Sequence, residues 1–174
     1  MTFERRIARL SGLTDEGWER HANGWSVWTR FTGPALLMLA AWSRVWLGWW
    51  AFGVGALVVA WIAANPFLFA RPASPNGYAA RGTLGERIWT SRDRIAVPAK
   101  HRVLPPWLTL ANALGFAAAI YVVVVLDAWT VVLGLGVHYL GKAWFIDRMV
   151  WLADDMVGTM GRAVVLDAVS KQTA

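Results

Sequence analysis

The chain has 174 residues, enough for one domain. It is 57% hydrophobic and only 16% charged, with 13 tryptophans, so a fully water-facing surface would be hard to cover. The absence of cysteine excludes disulfides, thiolate metal sites and cysteine nucleophiles, and the net charge of +6 admits nucleic acid or an anionic bilayer until its distribution is read.

Residues 1–30 read as a cytoplasmic, interfacial segment. The opening "MTFERRIARLSGLTDEGWERH" is charged throughout and lacks the apolar core of a signal peptide. Phe3, Ile7 and Leu10 recur at helical spacing with Arg5, Arg6 and Arg9 between them, the pattern of a short helix on a membrane surface or of a solvated one.

Residues 31–69 read as a first helical hairpin. From Gly33 to Ala70 only Ser43, Arg44 and Asn65 are strongly polar. A crossing needs roughly 20 residues for about 30 Å of hydrocarbon, so this run suits two short crossings. Arg44 and Gly48 lie near its middle, among Trp42, Trp46, Trp49 and Trp50. Tryptophan gathers at headgroup depth, and an arginine costs far less there than at the bilayer centre. Arg44 is therefore expected at the far rim. The first arm is expected from Thr32 to Val45, with Thr32 as cap and Pro34 in the first turn. That arm is only about 21 Å long. Either it begins nearer Ser26 with Arg30 snorkelling, or the hairpin is re-entrant. The second arm is expected from Gly48 to Asn65, ended by Asn65-Pro66.

Residues 70–105 hold several prolines and glycines and seven basic side chains: Arg71, Arg81, Arg87, Arg92, Arg94, Lys100 and Arg102. They read as a basic cytoplasmic loop with a short helix near Leu84–Thr90. Residues 106–147 read as a second hairpin. "PPWLTLANALGFAAAIYVVVVL", Pro105 to Leu126, carries no charge. "DAWT" is a tight turn in which Asp127 can cap the next helix. Trp129 to Ile146 forms the fourth span, and residues 148–174 an amphipathic extension along the membrane surface. The whole is expected to be one all-α membrane domain of four spans.

Orientation follows from charge. The segment through Arg30 carries five Lys or Arg, the central loop seven, the tail three (Arg148, Arg162, Lys171), and the two opposite turns one, Arg44. Excess Lys/Arg stays cytoplasmic, which puts both termini and the central loop inside. The same distribution suits anionic headgroups without nucleic acid.

The stretch His21-Ala22-Asn23-Gly24-Trp25-Ser26-Val27-Trp28-Thr29-Arg30 resembles the pattern H-x-N-P-W-S-x-W-T-R of an uncharacterised family of small prokaryotic membrane proteins, a domain of unknown function. "WSRVWLGWW", the basic loop and "KAWFIDRMVWL" from Lys142 extend the resemblance over roughly Trp18 to Met156. Gly24 departs from the pattern, which has proline there. The resemblance implies a multi-pass membrane protein and no particular activity.

Three constellations bear on chemistry. His21, Asn23, Glu86, His101, Asp147, Asp154 and Asp155 fall in segments expected at the cytoplasmic face. Two histidines and a carboxylate could hold a divalent metal, but the spacing lacks H-E-x-x-H or D-x-x-D, and the alternative is capping and ion pairing with Arg87, Arg92 or Arg148. His138 and Lys142 share a face of the fourth span, at about 13 Å and 7 Å depth. A polar group at His138 suggests a relay or ligand contact, or a plain hydrogen bond to Asn112, Thr109 or Tyr121. Ser26 and Thr29 near His21 lack an orienting acid and an oxyanion hole. Gly53-Val54-Gly55 and Gly134-Leu135-Gly136 read as helix-contact surfaces.

The reading is a non-catalytic accessory, scaffold or anionic-lipid-binding module of the inner membrane. Arg30, Arg44 and the seven loop cations would meet headgroups, and Trp25, Trp28, Trp42, Trp46, Trp49 and Trp50 would anchor the interface. The alternative is a metal-dependent enzyme acting on headgroups through His21, His101 and Asp154 or Asp155. A transporter fits least, with few spans and no repeat. No cofactor is expected. The expected partners are the lipid bilayer and a membrane protein or second copy, not nucleic acid.

Overall fold

The computed structural model describes residues 15–170. Regular structure among them is entirely helical: α1 (Asp15–His21), α2 (Gly24–Trp42), a single turn α3 (Arg44–Leu47), α4 (Trp50–Leu68), α5 (Tyr78–Thr90), a 3₁₀ turn (Ala99–His101), α6 (Leu104–Val125), α7 (Ala128–Met160) and α8 (Arg162–Ser170). The surface helix expected over Phe3, Ile7 and Leu10 lies outside the described residues.

The first arm starts earlier than Thr32. Asn23 is the cap of α2, its Oδ1 accepting the Trp25 N–H at 2.9 Å. Thr32 instead bonds back to the Thr29 carbonyl at 2.6 Å. With 19 residues, α2 is about 28 Å long. Pro34 consequently sits inside the helix, where it offers no N–H to the Arg30 carbonyl. One residue on, the Tyr139 hydroxyl on α7 enters the ladder. It accepts from the Ala35 N–H at 3.2 Å and donates to the Phe31 carbonyl at 2.7 Å.

Chain reversal uses the short α3 and then Gly48, at φ +54 and ψ −129, a conformation that L side chains rarely adopt. α4 does not stop at Asn65-Pro66 but continues to Leu68. The usual pre-proline bias is overridden because Asn65 is fully buried and bonded on both sides. The Ser26 hydroxyl donates to Asn65 Oδ1, and Asn65 Nδ2 donates to Thr29 Oγ1, both at 2.9 Å.

α6 and α7 pack backbone to backbone. A Cβ on Gly115 would lie 2.5 Å from His138 N, one on Gly134 2.8 Å from Ala119 N, and one on Gly141 2.9 Å from Asn112 N. Small residues permit this approach, as in membrane helix pairs. The expected contact role thus falls to Gly134, whereas Gly136, Gly53 and Gly55 meet nothing.

Residues 71–105 are not a solvated loop. α5 is longer than its expected core of Leu84–Thr90, and it docks on the second half of α7. Leu84, Ile88 and Trp89 from α5, Ile95 and Val97 from the following segment, Met149, Leu152 and Met156 from α7, and Val165 and Val169 from α8 form one buried core. α7 accordingly runs unbroken through Asp147 for a total of 33 residues, and the break comes at Gly161, φ +81. Its amphipathic end packs on protein. A second, smaller core of Met38, Ala119, Val123 and Val131 joins α2, α6 and α7 at the other end.

Two helical stretches are long and apolar enough to cross a membrane: Trp50–Leu68, mean hydropathy 1.8, and Ala99–Val125, mean hydropathy 2.1. Only 11% and 24% of these stretches is buried. An apolar helix at the centre of a water-soluble domain would be mostly covered.

Candidate functional site

Near the start of α2, four charged or titratable side chains from four places in the chain face one cavity. The cavity measures about 380 Å³ and is lined by His21, Arg30, Glu86 and Lys142 together with Thr83, Asn112, Phe31 and Phe145. α2 supplies Arg30, the end of α1 His21, α5 Glu86 and α7 Lys142. Arg30 Nη1 lies against both nitrogens of the His21 ring, 2.9 Å from Nε2, and Nη2 donates to the His21 carbonyl at 3.3 Å. Arg30 Nε donates to the Ser26 carbonyl at 3.1 Å. Lys142 Nζ stands 4.9 Å from the centre of the Phe31 ring, a cation–π contact.

His21 accepts from a guanidinium and is half-buried beside two cations. Burial first, then Arg30 and Lys142, push its pKa down to about 3, so the ring is neutral at ordinary pH. Glu86 is raised above the ordinary carboxylate range by burial, against the pull of Lys142 and Arg30.

The expected cytoplasmic cluster is split rather than assembled. Among the described residues no three His, Asp or Glu side chains are grouped to hold a metal ion. His101 and Lys100 share Asp155 Oδ2, each at 2.6 Å. Asp154 pairs with Arg81 at 2.7 Å. Asn23, besides capping α2, ties it to the end of α4 through Nδ2 to the Ala70 carbonyl at 2.9 Å. Asp147 is half-buried on α7. The motif His21 to Arg30 is thereby accounted for: a cap at Asn23, a two-helix latch at Ser26 and Thr29, and a cavity wall at His21 and Arg30.

Lys142 belongs to the cavity while His138, one turn away, does not. His138 is buried, its Nδ1 3.2 Å from the Asn112 backbone carbonyl on α6 and its Nε2 without a partner among the described residues. The carbonyl accepts, so Nδ1 carries the proton. This is the plain interhelical bond, made to the backbone of Asn112.

Most loop cations are held by protein. Arg71 pairs with Glu19 at 3.0 Å. Arg87 lies over the Trp18 ring and Arg92 over Trp89. Arg102 donates to the Val97 carbonyl at 2.7 Å, and Arg94 is exposed. Arg44, just past the end of α2 opposite the cavity, caps α6: Nη2 donates to the carbonyls of Val123 and Val124 at 2.8 and 3.0 Å. Trp25, Trp28, Trp46, Trp49 and Trp50 are exposed, and Trp42 is half-buried against the smaller core. The meeting of His21, Arg30, Glu86 and Lys142 was hidden in the sequence, since Arg30 and Lys142 are 112 positions apart. An arginine and a lysine inside otherwise apolar arms were the available signal.

The model of a family of unknown function (DUF6653) matches residues 2–171 of this chain, nearly its whole length. The chain belongs to that family. No curated protein and no solved structure matches this family member.

Proposed function

We propose that the protein is a four-span inner-membrane protein and a non-catalytic, lipid-contacting accessory module. α2, α4, α6 and the first half of α7 cross the bilayer. Both termini and residues 70–105 lie on the cytoplasmic side. The observation that carries this reading is the broad exposure of large apolar side chains on these helices: α4 presents Phe52, Leu57 and Val59, α6 Leu110, Leu114 and Val124, and α7 Val132, Leu133 and Leu140. At about 25 cal/mol per Å² such a surface is costly in water and costs nothing in hydrocarbon.

Tryptophan supports the same levels. Trp46, Trp49, Trp50 and Trp129 are exposed at one end of the helices, and Trp25, Trp28, Trp107 and Trp144 toward the other. Trp25 and Trp42 stand 17 residues apart on α2, about 26 Å, close to the thickness of a hydrocarbon core. Apart from Arg44, the basic residues outside the spans among the described residues cluster with the second level, in keeping with a cytoplasmic face.

Membrane fractionation tests the reading. The expressed chain is expected to stay with membranes after an alkaline carbonate wash and to need an amphiphile to remain monodisperse. Recovery as a monodisperse species without one would contradict it.

A further inference from the structure

Two cations meet in the cavity between α2, α7 and α5, and among the described residues neither makes a close ion pair there. Among the described residues, Arg30 spends its hydrogen bonds on a neutral imidazole and on backbone carbonyls. Lys142 has an aromatic face and, among the described residues, no hydrogen-bonded carboxylate. Glu86 lines the same space without a hydrogen bond or ion pair among the described residues. Two cations against one carboxylate leave a surplus of one positive charge. Cations withdrawn from water without a counter-charge are costly, and the cavity has room for an anion.

We infer that this cavity binds a phosphate oxyanion, with Arg30 and Lys142 as its cationic clamp. Guanidinium matches the geometry of phosphate oxygens, and ammonium adds a point charge. The Thr83 hydroxyl and the Asn112 amide, both lining the cavity, add neutral donors. The surplus charge suits a phosphodiester, which is a monoanion. Position favours a phospholipid headgroup as its source. One wall is made of span residues, Val27, Phe31 and Ile146, and exposed Trp25, Trp28 and Trp144 belong to the same end of those spans. This part rests on the four-span reading.

Glu86 tunes the site. Ionised, it opposes an incoming anion; protonated, it does not. Facing it are Arg30 from α2, Lys142 from α7 and His21 at the end of α1, and His21 stays neutral down to about 3. Burial raises the Glu86 carboxyl, so anion binding strengthens as pH falls through its titration.

The test uses the purified full chain in detergent. Native mass spectrometry follows retention of phosphatidylglycerol, and thermal shift follows inorganic phosphate alone. Lys142→Met is expected to weaken retention at least tenfold, and Arg30→Gln likewise. Arg20→Gln, at a cation outside the cavity that pairs with Glu16, is expected to bind as the parent does. Glu86→Gln is expected to bind more tightly, with a flatter pH dependence. Melting temperatures identify variants that fail to fold; should Arg30→Gln be one, Lys142→Met decides alone. Lipid retention without a response to phosphate assigns the anion to a headgroup, and a Lys142-dependent response to phosphate assigns it to the phosphate group itself. Neither response in the parent, equal binding by Lys142→Met, or equal loss in Arg20→Gln overturns the site. The phosphate arm needs no bilayer, so it can succeed even where the membrane reading fails.

Discussion

Tyr139 replaces part of a helix. Pro34 removes one backbone donor, and one residue later the tyrosine hydroxyl stands between the Phe31 carbonyl and the Ala35 N–H. Tyr139→Phe leaves both groups without that partner. It is expected to lower stability by about 1–2 kcal/mol, read as thermal unfolding in detergent. An unchanged unfolding temperature would show that the two backbone groups close on each other unaided. Asp155 is the second residue whose worth is testable. Hydrogen bonds from Lys100 and then His101 hold its carboxyl below the ordinary range. Its contribution is present above the unfolded-state pKa and is lost as pH falls through the lower folded value. Asp155→Asn is therefore expected to melt below the parent at pH 7, with the two curves converging in acid. A gap that widens in acid would contradict the assignment. These side-chain bonds were only partly legible in the sequence. The motif around Ser26 and Thr29 was visible, but its partner Asn65 looked like a helix stop because the local rule for a pre-proline residue ignores what a buried amide gains across 39 positions.

At the scale of elements, the apolar arms and their turns were readable because hydrocarbon length and uncharged runs are local properties. α6 lies within one residue of its expected span at each end. The basic segment was not readable in the same way. Its prolines and arginines suggested solvent, whereas Ile88, Trp89, Ile95 and Val97 are spaced to meet α7, and that face is defined only once α7 continues past Asp147. Gly85 fixes this docking. A Cβ there would lie 1.8 Å from the Met149 carbonyl oxygen. Gly85→Ala is expected to cost about 3 kcal/mol, because backbone rather than a flexible side chain must give way. Gly53→Ala, with nothing within 4 Å, is expected to be close to neutral. Equal melting of the two variants would show that α5 does not rest on α7 at this point.

For the whole molecule, two interiors serve different ends. The core shared by α5, α7 and α8 is large and apolar, as in a water-soluble domain. The region of α2, α4, α6 and the first half of α7 has a small core, glycine-mediated contacts and an apolar exterior. The polar cavity of Arg30, Lys142, Glu86 and His21 lies where these two regions meet. The proposed membrane setting would unite these features, and topology tests it most directly. The chain has no cysteine, so each introduced thiol reports alone. Single cysteines at Trp49, Ala128, Gly77 and Gly158 would be probed in intact cells with a membrane-impermeant maleimide. The account predicts labelling at 49 and 128 from outside, and at 77 and 158 only after the membrane is opened. Labelling of 77 or 158 in intact cells, with 49 and 128 protected, would contradict it.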